Sequence, residues 1–127
     1  MKVESHFMYR LKLEPLPDGE SWKLCSNFGY WSEATGMVLI VKGFITDLAS
    51  IPRLFWSVFP PFGKYTDAAV LHDFLYRTQT LPRAIADGAL MDGMKLCGVN
   101  WITRQTIYRA VRAFGWAAWN ENKKKLK

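Results

Sequence analysis

A chain of 127 residues that is half hydrophobic and 15% aromatic has enough apolar material for one real core, which excludes a disordered protein. Its formal charge is +6, yet four of its seventeen basic residues (Lys123, Lys124, Lys125 and Lys127) fall in the last five positions, and the rest is nearly balanced at thirteen basic to eleven acidic. A basic body built to coat nucleic acid is therefore not expected. The expected organisation is one globular domain over residues 1–122 with a solvated basic tail at 123–127.

Cys25 and Cys97 are the only cysteines, and they form neither a CxxC pair nor a zinc-ligand spacing. Buried thiols are expected, not a disulfide framework. The stretch Met1-Lys2-Val3-Glu4-Ser5-His6 has no apolar signal core, and no run approaches the ~18 apolar residues of a membrane span. The expectation is a soluble protein of a reducing cytoplasm.

Residues 3–45 read as β-structure. Tyr9, Leu11 and Leu13 alternate on one face of an opening strand. Pro15-Leu16-Pro17-Asp18-Gly19 is a turn, because proline presets φ and Asp-Gly tolerates a left-handed residue. Trp22–Cys25 and Phe28–Trp31 follow as strands. The β-branched run Met37-Val38-Leu39-Ile40-Val41 is too short for a helix and suits a central strand. The six tryptophans are scattered along the chain and are each expected in the core or half-buried.

From Gly43 to Pro61 the chain is irregular. Asp47 and Arg53 stand among apolar residues and are expected either to pair and pin a turn or to join a site. Ser50 and Pro52 favour a short helical turn there, and Pro60-Pro61-Phe62-Gly63 ends the segment.

Three helices are then expected. The first spans Thr66–Arg77, with Thr66 capping and Ala68, Leu71, His72, Leu75 and Tyr76 on one face. The second starts at Thr80-Leu81-Pro82 and closes at Gly98, with Ala86, Leu90, Met94 and Cys97 inward and Asp87 at the border of that stripe. The third spans about Thr103–Asn120 through Ile107, Val111, Phe114 and Ala118. Arg104, Arg109 and Arg112 lie on its solvated face, and Gly115 marks a close helix crossing. The predicted class is α+β: an N-terminal antiparallel sheet, an irregular segment, and a three-helix C-terminal half.

The stretch Ala68–Tyr76 places His72 and Asp73 side by side in an apolar run, and burying either group is costly without a partner. Two helices joined by a short loop pack antiparallel, which brings Asp87 near His72 or Tyr76. A carboxylate on one imidazole nitrogen is what a general base requires. Asp73 lies about 100° round the helix from His72, so it is available to a hard cation such as calcium. Tyr76 can fix Asp87 by a hydrogen bond. The same residues can equally form a buried structural network with Asp47 and Arg53.

His72-Asp73-x-x-Tyr76 followed by Ala86-Asp87 resembles the active-site helix pair of phospholipase A2 enzymes, closest to the disulfide-free viral type. That resemblance covers residues 68–87. It implies that His72 activates water, Asp73 binds calcium, and Asp87 with Tyr76 orients the imidazole. The glycine-rich calcium loop of those enzymes has only Phe62-Gly63-Lys64 in its place, which leaves Gly63 as a candidate oxyanion donor.

A wider resemblance covers residues 43–116. The blocks Gly43–Arg53, Pro60-Pro61-x-Gly63-x-Tyr65, Ala68–Tyr76, Arg83, Ala86-Asp87 and Val111-Arg112-x-Phe114-Gly115 are similar to a family of small phage and prophage proteins whose domain has no assigned function. It implies a bacteriophage origin and residence in the infected cell or the virion. Two readings stay open. One is a hydrolase, with His72 as base, Asp87 orienting it and Asp73 on calcium. The other is a non-catalytic virion or host-factor-binding protein that holds a closed polar network and shows an exposed aromatic patch. Nucleic-acid binding through the lysine tail is the weaker third.

Overall fold

The structure, a computed structural model, describes residues 3–48 and 65–126. Ser50, Arg53 and Gly63, together with the helical turn expected around Pro52, lie outside the described residues. The chain divides into two compact units, Met1–Asp47 and Leu48–Lys127, each described by itself. The first is all β and the second all α among the described residues, so the α+β class holds.

The β unit holds six short strands in two antiparallel sheets of three, where the sequence had suggested one sheet. In the first sheet β4 (Phe28–Ser32) lies between β1 (His6–Met8) and β5 (Gly36–Ile40). In the second, β3 (Trp22–Leu24) lies between β2 (Leu13–Pro15) and β6 (Ile45–Thr46).

Register follows the two-residue period. Phe28, Tyr30 and Ser32 oppose Ile40, Val38 and Gly36, and apart from the glycine this face is buried. Phe7 opposite Tyr30 packs its ring 5.3 Å from Phe28 and 5.4 Å from Tyr30. The run at residues 37–41 is not central: β5 is an outer strand of its sheet, with Met37, Leu39 and Val41 exposed.

The strand expected through Tyr9 breaks there. Tyr9 has φ 65° and its side chain is exposed, so the chain turns between β1 and β2 instead of running on to Leu13. The Pro15–Gly19 turn forms as read, with Gly19 at φ 74° and the Asp18 carboxylate accepting from the Glu20 and Ser21 N–H groups at 2.9 Å.

In the helical unit, α1 (Thr66–Thr78) packs on α2 (Arg83–Leu96), α2 packs on α3 (Trp101–Phe114), and α4 (Trp116–Lys125) returns to α1. Leu71, Leu75, Tyr76, Leu90, Met94, Ile107 and Val111 are fully or almost fully buried. The caps fall away from their expected places: Tyr65, one residue before Thr66, precedes α1, and Pro82, two residues after Thr80, precedes α2, neither with a side-chain cap bond. Asn100 does cap α3, its Oδ1 accepting from the Thr103 N–H at 2.9 Å.

The expected third helix is two helices, separated at Gly115. A Cβ there would lie 2.5 Å from the Val111 carbonyl oxygen and 2.6 Å from the Tyr76 hydroxyl. Only glycine lets the α3–α4 corner come this close to α1. The Gln79 side chain then ties α1 to α4, its Nε2 donating to the Trp119 carbonyl at 2.7 Å. Lys123, Lys124 and Lys125 form the final turn of α4.

Candidate functional site

The i, i+3, i+4 pattern of α1 turns His72 and Tyr76 to the same buried side, their ring centroids 4.2 Å apart. The antiparallel return into α2 sets Asp87 opposite both. His72 Nε2 lies 2.8 Å from Asp87 Oδ1, and the Tyr76 hydroxyl donates to that same oxygen at 2.7 Å. The structure thus brings together His72, Tyr76 and Asp87.

Two residues that sequence reasoning gave no role complete the cluster. Arg112 on α3 donates from Nη1 to Asp87 Oδ2 at 2.7 Å, and Arg83 on α2 approaches that oxygen at 3.4 Å. Arg83 also donates to the Tyr76 hydroxyl at 3.5 Å and to the Val111 and Arg112 carbonyls at 3.3 Å each, so its guanidinium closes the C-terminal turn of α3. Arg83 was findable, since it lies four residues before Asp87 on one helix. Arg112 was not, because only tertiary packing brings it to a carboxylate twenty-five residues away. From the sequence it belongs to the solvated face of its helix.

Burial pushes the Asp87 carboxyl up. The hydrogen bond and attraction of the His72 ring, with the hydrogen bonds from Tyr76 and Arg112, more than offset this and hold it below its ordinary value. Asp87 is therefore a carboxylate with no proton to give, and His72 Nε2–H is the donor between them. Burial, and then the bond to Asp87, push the Tyr76 hydroxyl far above its ordinary value, so it stays a neutral donor. The bond to Asp87 likewise raises the Arg112 guanidinium.

Asp73 takes a different partner. Its Oδ2 accepts from Arg77 Nε at 3.1 Å, one turn along the same helix. His72 and Asp87 are 0% exposed and Asp73 1% exposed. His72 and Asp73 each have further partners, as does the half-buried Asp47. Among the described residues, no buried side-chain nitrogen or oxygen lacks a hydrogen-bond partner.

Asp73 is the residue the resemblance assigns to calcium. Its carboxylate already faces a guanidinium, and among the described residues no three His, Cys, Asp or Glu side chains gather to hold a metal ion. The His72–Asp87 pair does have the form of an oriented base, with Nε2 held against the carboxylate. The same carboxylate also carries two guanidinium groups, Arg83 at 3.4 Å and Arg112 at 2.7 Å. Among the described residues, no helix is long and apolar enough to cross a membrane.

A family model described as "Protein of unknown function (DUF1353)" matches residues 22–111, which include α1, α2 and the first eleven residues of α3. No curated protein and no solved structure matches the chain.

Proposed function

Because the chain belongs to the DUF1353 family of unknown function, we propose a role from its geometry: a non-catalytic binding domain in which the His72–Asp87 cluster is an internal brace. One observation carries this reading. Asp87 is 0% exposed, and its two oxygens are shared among His72, Tyr76, Arg83 and Arg112. A carboxylate so placed joins three helices, each through a charged or hydroxyl partner. The similarity to phage and prophage proteins supports action in an infected bacterial cell or in the virion, on a viral or host partner.

A second reading, an ester hydrolase of phospholipase A2 type, is favoured by the 2.8 Å contact between His72 Nε2 and a carboxylate that Tyr76 also holds. In it His72 is the base and Asp87 with Tyr76 orients the ring. His72→Gln, which keeps a donor for Asp87, separates the two. A brace predicts a folded variant and no turnover of short-chain esters or phospholipid vesicles by the wild type, with or without calcium. Turnover by the wild type that His72→Gln abolishes while remaining folded would establish the hydrolase instead.

A further inference from the structure

Helix α4 is the one described helix with no buried residue, and Trp116 at its start is 57% exposed. Trp116, Asn120, Lys123 and Lys124 stand at i, i+4, i+7 and i+8, so they share a face. With Ala117 and Glu121 they line an open groove of about 500 Å³. Lysines in a last helical turn are ordinarily explained by the helix dipole. The dipole does not explain an indole left in water at the other end of the same groove.

We infer that this α4 groove binds single-stranded nucleic acid, with the Trp116 indole stacking on a base while Lys123 and Lys124 meet backbone phosphates. The inference names a partner for the binding domain proposed above and rests on that reading. An exposed aromatic ring beside a short basic row is the combination such strands need, because every base offers a π-face and every linkage a charge. A lipid surface fits less well. An interfacial helix needs a continuous apolar face, and here Asn120 and Glu121 interrupt it between the tryptophan and the lysines. Glu121 is the one acidic group in the groove, so the net sign favours a polyanion.

The test is fluorescence anisotropy of the full chain with a labelled oligothymidylate of about 20 nucleotides, enough to span a typical single-strand site. A duplex of equal length, heparin, and phosphatidylserine vesicles serve as comparison ligands. The expected result is binding of the oligothymidylate that weakens steeply with salt, by about 0.7 in log–log slope for each phosphate neutralised. Trp116→Ala is expected to weaken it roughly tenfold. Lys123→Glu with Lys124→Glu is expected to weaken it and flatten the salt slope. Both variants alter exposed side chains, and circular dichroism should match the wild type.

Four results would overturn the inference: no binding by the wild type, equal affinity for the duplex, heparin binding as tightly with Trp116→Ala without effect, or binding to vesicles alone. None of them touches the brace, which falls to ester turnover that depends on His72 or to an unperturbed stability of His72→Ala.

Discussion

Helices α1 and α4 break the amphipathic rule in opposite directions. On α1 the buried side carries a histidine and an aspartate; on α4 nothing is buried and a tryptophan faces water. The difference lies in what completes each. The polar groups of α1 are met within the chain: His72 by Asp87 of α2, which two arginines of α2 and α3 also hold, and Asp73 by Arg77. The indole of Trp116 and the neighbouring lysines have an open groove before them. A polar group buried with partners speaks of architecture, whereas an apolar group left exposed beside charge speaks of contact.

The sharpest way to break this contrast is to remove the shared carboxylate. Asp87→Ala leaves His72 and Tyr76 without their acceptor and two guanidiniums uncompensated, and is expected to cost about 3–5 kcal/mol in urea denaturation. Trp116→Ala, on the open side, is expected to change stability by no more than ~0.5 kcal/mol. Comparable losses at the two positions would erase the distinction.

Gly115→Ala comes next. Its methyl would meet the Val111 carbonyl and the Tyr76 hydroxyl, and Tyr76 is anchored on Asp87 and cannot retreat freely. An overpacking cost of about 1–3 kcal/mol is expected. A neutral result would mean that the α3–α4 corner opens without disturbing the cluster.

Acidification gives a smaller and two-sided effect. Asp87 has a depressed carboxyl value in the fold, so its contribution is fully present above the unfolded value and is lost as pH falls below about 4, through the lower folded value. Asp67, raised by burial, has the opposite sign: its folded value lies above the unfolded one, and stability is lost as pH rises through it. Titrating downward from neutrality should therefore give a shallow rise and then a fall. Asp67→Asn should abolish only the rise, and Asp87→Asn should abolish most of the fall. Denaturation midpoints between pH 7 and pH 3 would check both.

Local and near-local physics made the first part of this legible. The three-to-four-residue spacing of α1 turns His72 and Tyr76 inward, and a short loop into an antiparallel α2 brings Asp87 to them. Gly115 was readable as a close crossing, although not as the point where one helix becomes two. Hidden from the sequence was anything set by distant packing. Arg112 looks like one of several solvent-facing arginines until α3 lies across α2. Trp116 looks like another core tryptophan until α4 fails to bury it. The strand pattern misled at Tyr9 for a similar reason. Alternation is blind to a residue with positive φ that ends one strand and starts the route to another sheet.

The most direct measurement is the unfolding free energy of His72→Ala against the wild type at neutral pH. An internal brace predicts a loss of about 2–4 kcal/mol, from a cavity at a fully buried ring and a carboxylate stripped of one donor. Unchanged or increased stability would contradict it, because a group kept for chemistry against the interests of the fold can be removed without weakening that fold.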